Sequence, residues 1–232
     1  MKRFWKTAEP VAVEGGWQVS LDGRPLKTQG NRAQVVPSRD LADLLAGEWS
    51  AQGEHVDPLL FPHRDMADYA IDMIASGEDD VVAKLIGFMD TDTLCYRADP
   101  DEALYRRQLE MWEPLVTAFE QREGVRVERA SGVLHRPQPA ATLQALEAKL
   151  RTLDPLLLAA LFTLTSLSAS LVIGLAGLED EADAGDLWNA ANLEEDWQIE
   201  LWGEDAEATA RRTRRLADFT RAMEFARAAR AG

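Results

Sequence analysis

A chain of 232 residues, 46% hydrophobic and 28% charged, has the composition of an ordinary globular protein and enough length to bury a sizeable core. Its formal net charge of −15 excludes the basic footprint that nucleic-acid binding needs and opposes docking on anionic membrane surfaces. Its single cysteine, Cys95, excludes an internal disulfide, as a reducing compartment would favour. Met1-Lys2 leads straight into Arg-Phe-Trp-Lys with no apolar signal core and no Arg/Ser-rich leader. The expected location is a bacterial cytoplasm, or an organelle for a mature imported form.

In chain order, Trp17–Leu21 and Leu26–Thr28 flank Asp22-Gly23 and predict a hairpin, followed by a short strand over Ala33–Val36. Ser38 is placed to cap a helix whose Leu41, Leu44, Leu45 and Trp49 share a face. Residues 55–61 read as extended and proline-broken; Arg64–Ala75 and Asp79–Met89 read as helices. Thr93–Tyr96 looks like a strand entering a sheet. Asp99-Pro100 has the cap-and-proline signature of a helix start, predicting a long helix to about Glu123. Val125–Arg129 alternates apolar and charged residues, as a strand with one wet face does.

After Arg136 no strand pattern remains. Pro137 and Pro139 suggest a linker, and helices are expected over about 140–152, 155–177, 183–202 and 205–229. The fold class is therefore α+β: an N-terminal α+β domain over 1–136 with a small antiparallel sheet, then an all-helical bundle over 137–232. Residues 155–178 carry no charge and would be flagged as a membrane span. Their pattern predicts a buried core helix instead. Leu157, Leu161, Leu164, Leu171, Leu175 and Leu178 form one seam, with Ser166, Ser170 and Gly174 on a small-residue side for a close neighbour. From Glu179 to Glu207 there are 12 acids and no Lys or Arg, and from Ala208 onward 7 Arg and 2 acids, so a salt-bridged helix pair is one expectation.

Catalytic chemistry finds little to stand on. His55, His63 and His135 lack zinc-ligand spacing, and no phosphate-binding glycine loop exists, so no metal, nucleotide or cofactor is expected. Asp90 and Asp92 could share one strand face as a carboxylate pair, though Asp-Thr-Asp-Thr is also a turn and cap device. Cys95 sits in an apolar run and reads as a small buried residue. Glu194 and Glu195 are adjacent, so on a helix they point about 100° apart and do not converge.

The stretch Leu193–Gly203, LEEDWQIELWG, holds two of the seven tryptophans. Glu194, Glu195, Gln198 and Trp202 fall on one side of a helix. That mixture of acid, amide and indole suits a surface that grips another protein, while the plainer reading is a helix end with one buried Trp and two solvated Glu. LEEDWQIELWG resembles the C-terminal signature of the ATP synthase assembly-factor family that chaperones the α subunit of the F(1) head, the mitochondrial assembly factor 2 type in its bacterial form. Arg3–Lys6 (RFWK), Val19–Thr28 (VSLDGRPLKT) and Asp90–Arg97 (DTDTLCYR) agree in the same order. One departure is Gln29-Gly30, where the family has a proline soon after the LKT.

The resemblance implies a non-enzymatic, ATP-independent chaperone that shields the subunit interface of unassembled α until β arrives. The partner is the α subunit, the expected state is a monomer, and eukaryotic relatives would act in the mitochondrial matrix. Glu194, Glu195, Gln198 and Trp202 become the candidate partner-binding residues. Trp5, Asp90, Asp92, Trp197 and Gly203 belong to the motifs, and Trp49 to fold support. Two rivals stand beside this: a hydrolase using Asp90/Asp92 or Glu194/Glu195, and a membrane-associated factor anchored by 155–178.

Overall fold

A computed structural model describes residues 1–132 and 134–231. The chain opens with a hairpin of β1 (Ala8–Val13) and β2 (Gly16–Leu21), antiparallel in the register Ala8 to Leu21 and Val13 to Gly16. β3 (Arg24–Pro25) and β4 (Val35–Val36) both pair antiparallel with β2. Between β2 and β3, Asp22 (φ 49°) and Gly23 (φ 81°) form the tight turn read from the sequence. The Asp22 carboxylate accepts the N–H groups of Lys6 and Thr7, which holds its pKa below the usual carboxylate value. β1 carried no sequence expectation. It is an edge strand with Pro10 in it and mostly exposed residues, so it lacks the alternation that marks a half-buried strand.

α1 (Arg39–Ser50) packs on β1 and β2 and buries Leu41, Ala42, Leu45 and Ala46. The Leu41 N–H donates to Ser38 Oγ at 3.0 Å, so the predicted cap is present. α2 (Pro62–Tyr69) runs directly into one turn of π-helix, Ala70–Ile74. Gly30 lies against that turn. Its N–H donates to Asp72 at 2.7 Å, a bond that the family's proline at this position could not make, and a Cβ there would sit 2.7 Å from the Asp72 carboxylate and displace it.

α3 (Val81–Asp90) is followed by a 3₁₀ turn over Thr93–Cys95 and the two-residue strand β5 (Tyr96–Arg97), shorter than the strand expected over Thr93–Tyr96. β5 pairs in parallel with β6 (Ala130–Ser131). α4 (Ala103–Glu123) starts later than the Asp99-Pro100 signature predicts, because the Asp99 N–H is taken by the Glu102 carboxylate at 3.2 Å in a turn that precedes the helix. Val125–Arg129 is not a strand. Its alternation has another source: Val125 and Val127 are buried, the Val127 N–H donates to Glu120 at 2.7 Å, and Arg129 pairs with Glu113 and Glu120. Any extended segment has period two, whether or not it joins a ladder.

α5 (Ala140–Leu150) is followed by α6 (Pro155–Ser168), which starts as predicted, with the Leu156 N–H donating to Asp154 at 2.8 Å. The continuous helix expected over 155–177 is broken. Ala169 adopts φ +51°, and α7 (Leu171–Ala176) begins afresh with Ser170 as its cap. Ser170 is fully buried and Gly174 meets a close neighbour, as expected, but Ser166 is exposed. The neighbour of Gly174 is α6 itself, across the break: Thr165 and Leu161 face it. Fourteen residues of α6 extend about 21 Å, short of a roughly 30 Å hydrocarbon core, and no helix of the described residues is long and apolar enough to cross a membrane.

α8 (Ala184–Ala191), α9 (Leu193–Trp202) and α10 (Ala206–Arg230) complete the chain, with Asn192 dividing the single helix expected over 183–202. All strands of the described residues lie before residue 132, and the fold is α+β with a large helical part. Two compact units result. One comprises Met1–Asp80 with Asp154–Ala160 and residues 221–231; the other comprises Val81–Leu153 and Leu161–Thr220. Their limits do not coincide with the division expected at 136. The unit that holds the four-stranded sheet ends its first segment at Asp80 and takes in the last turns of α10, where Ser38 Oγ donates to the Ala228 carbonyl at 2.6 Å and Phe225 stacks on His63.

Candidate functional site

α9 carries the LEEDWQIELWG segment. Its first turn holds Glu194, Glu195 and Asp196, where negative charge meets the positive end of the helix dipole. Leu193 is buried and anchors the helix, while Gly203 (φ 91°) ends it, donating its N–H to Ile199 O at 2.8 Å. Each further side chain has a distinct setting. Asp196 forms a two-pronged pair with the Arg212 guanidinium, one arm at 2.8 Å, and Glu195 adds negative potential at the same arginine. The expected pairing of the acidic stretch with the arginine-rich end thus occurs at this position. Arg107 lies over the Trp197 ring at 4.8 Å and donates to Glu200 at 2.7 Å. Glu194 accepts from the Gln108 amide at 2.8 Å; partial burial of its carboxyl raises its pKa, and the amide bond opposes that shift.

The four candidate residues do not form one continuous patch of equal character. Glu194 and Gln198, together with Trp197, line one cleft of about 360 Å³ with Tyr96, Arg97, Asp99 and Glu102. Glu195 faces the Arg212 charge, outside that cleft. Trp202 stands at the helix end with 78% of its surface exposed, and Leu201 beside it is 56% exposed. Trp202 is therefore no core anchor. Residues that the sequence did not single out include Gln108, which is fully buried and whose amide also accepts the Ala98 N–H at 2.8 Å, and the acids Asp99 and Glu102. Gln108 and Glu194 are 86 positions apart, and no local pattern links them.

The remaining motif residues serve the framework. Trp5 is buried and packs edge-on against Trp49 at 5.0 Å, and Trp49 packs against Phe61 at 4.6 Å. The Trp5 indole N–H donates to the Trp49 carbonyl at 3.2 Å, and Arg3 donates to the Gln52 carbonyl at 2.6 Å, so RFWK is a clasp on the end of α1. Asp92 is completely buried. The Leu94 N–H donates to one of its oxygens and the Val172 N–H to the other, each at 3.0 Å, so it caps a 3₁₀ turn and the start of α7 together. Asp90 instead accepts the Gln138 N–H at 3.0 Å and lies 3.5 Å from His135. The two carboxylates do not converge on a common point. Cys95 is buried, and desolvation pushes its thiol well above the ordinary range, the opposite of an activated nucleophile. His63 lies 2.9 Å from Glu48 with both side chains buried.

The chain is similar to known proteins over most of its length. The profile described as ATP12 chaperone protein matches residues 2–120. Protein atp12, mitochondrial, of Schizosaccharomyces pombe is 28% identical over 219 residues, covering 88% of this chain and 75% of that protein. The crystal structure of Atp12 from Paracoccus denitrificans superposes with a TM-score of 0.90 at 37% identity, covering 98% of both chains. The Atu1473 protein of Agrobacterium tumefaciens gives a TM-score of 0.92 at 42% identity, covering 98% of this chain and 85% of that one. A profile match over residues 2–120, and near-complete coverage of a solved relative at 37% identity, place the chain in the ATP12 chaperone family.

Proposed function

We propose that this protein is a non-enzymatic, ATP-independent assembly chaperone that binds the unassembled α subunit of the ATP synthase F(1) head and covers its subunit interface until β displaces it. Its place of action would be the bacterial cytoplasm, the counterpart of the mitochondrial location named for the fission yeast relative. The observation that carries the reading is the exposed Leu201-Trp202 pair at the end of an acidic helix. An unassembled subunit exposes apolar surface that aggregates unless covered, and an apolar tip rimmed by carboxylates can cover it while the net charge keeps the complex in solution. Displacement then requires only that β bind more tightly.

The test is light scattering of the α subunit diluted from denaturant, alone or with this protein. The intact chain should suppress scattering near equimolar ratio. The Glu194→Gln, Glu195→Gln double variant should melt within a degree or two of the parent and hold the α subunit far less well, since removing charges from a desolvated contact costs about 2–5 kcal/mol. An intact chain that leaves the scattering unchanged would sink the proposal.

A further inference from the structure

The cleft beside α9 has a chemistry that its own residues leave unanswered. Three acids line it: Asp99, Glu102 and Glu194. The Asp99 carboxylate makes no hydrogen bond or ion pair among the described residues. Glu102 uses one oxygen on the Asp99 N–H and Glu194 one oxygen on the neutral Gln108 amide. Arg97 also lines the cleft, but its charge is answered by Glu113 at 2.6 Å. Arg97 is more than nine-tenths buried, and its Nε–H has no acceptor among the described residues. Partial burial desolvates the Glu194 carboxylate and raises its pKa, and a cation entering the cleft would meet it together with the more exposed carboxylates of Asp99 and Glu102.

The walls are not acidic. Trp197 and Leu104 supply apolar surface, and Trp197 already accommodates the Arg107 guanidinium at 4.8 Å. At about 360 Å³ the cleft lies at the small end of ligand pockets, the scale of one long side chain. We infer that this cleft is the socket for an arginine side chain of the protein client, the stem lying on Trp197 and Leu104, the guanidinium reaching Asp99, Glu102 and Glu194, and the client's main chain offering an acceptor to Arg97. Arginine fits better than lysine because its planar fork meets carboxylates in pairs and stacks on indole. The inference rests on the reading of α9 as the client-binding helix, and it gives that helix two separate tasks. The exposed Leu201-Trp202 tip covers apolar surface, and the cleft fixes position by charge.

The experiment uses the full chain with ¹⁵N-labelled tryptophan, the Trp197 indole resonance being identified by its loss in Trp197→Phe. N-acetyl-arginine amide should shift that resonance saturably. N-acetyl-citrulline amide, the same shape without the charge, should bind at least tenfold more weakly. The Asp99→Asn, Glu102→Gln double variant, which keeps the acceptor for the Asp99 N–H, should lose tenfold or more of the arginine affinity. Equal responses to the two amides, or an undiminished response in the double variant, overturn the socket. In a parallel arm the parent and the double variant are titrated with the α subunit. If both bind it equally, the client reading stands and the socket falls. If the parent binds no α subunit while the arginine response persists, the socket stands and the identity of the client falls.

Discussion

Replacing Asp92 with Asn tests what holds the break between α6 and α7. The carboxylate is fully buried and accepts N–H groups from two elements, at Leu94, two positions on, and at Val172, 80 positions on. Asn offers one oxygen and an NH₂ group in its place. One buried N–H loses its acceptor, at roughly 1–3 kcal/mol. Burial pushes the Asp92 pKa from 3.8 to about 6, against the lowering effect of the donors around it. A carboxyl whose pKa is higher folded than unfolded holds its proton more tightly in the folded chain. Its contribution is therefore complete below about pH 3.8 and is lost as pH rises through about 6. The full span is about 3 kcal/mol, of which roughly half falls between pH 5 and pH 8. The asparagine does not titrate, so subtracting the two proteins' stabilities isolates this group from every other carboxylate. Urea unfolding should show Asp92→Asn less stable by roughly 3 kcal/mol at pH 5 and by about half that at pH 8. The lower limit stays above the sequence pI of about 4.6, where solubility falls. A deficit equal at both pH values would refute the burial argument. No deficit at either would show that Asp92 does not hold the start of α7.

Gly174→Ala would place a Cβ 2.2 Å from Thr165 Oγ1 and 3.1 Å from a Leu161 methyl, so it should destabilise by about 1–3 kcal/mol. Thr165→Ala should restore part of that loss, since Thr165 Oγ1 has no hydrogen-bond partner among the described residues to forfeit, and a strictly additive double variant would count against the clash. Trp202→Ser should leave the melting temperature within about two degrees, because the ring is 78% exposed, whereas Trp49→Ala removes the centre of the Trp5-Trp49-Phe61 array and should cost roughly 2–4 kcal/mol. Calorimetry of the two variants separates them, and similar losses would contradict the assignment of Trp202 to a working surface and Trp49 to the framework.

What could be read from the sequence was what is decided locally. The turn at Asp22-Gly23, the Ser38 cap and the Asp154-Pro155 start depend on residues within a few positions of one another. The break at Ala169 does not. Every residue around it tolerates a helix, and the decision lies with Asp92, whose carboxylate stands far away in sequence and takes the N–H groups that open α7. The same limit applies at α9. Helical spacing grouped Glu194, Glu195, Gln198 and Trp202, but α4 and α10 sort them differently. Gln108 draws Glu194 into the cleft, Arg212 influences Glu195, and nothing covers Trp202. Asp99 looked like a helix cap and became a cleft wall because α4 begins three residues after Pro100.

The membership of the last turns of α10 in the unit with the four-stranded sheet has a consequence for synthesis. Ser38 waits for an acceptor at Ala228, 190 positions later, and Phe225, buried with Ala222 and Ala226, is the stacking partner of His63. At about 5–20 residues per second, the ribosome needs on the order of ten seconds to travel from the end of the first segment at Asp80 to Arg221. During that interval the hairpin and α1 exist without their closing helix, and the segment that becomes α9 is itself made only shortly before that helix is completed. The earliest part of the polypeptide is thus the last to be sealed, and this protein, proposed to shelter another subunit's uncovered surface, begins its own existence with one.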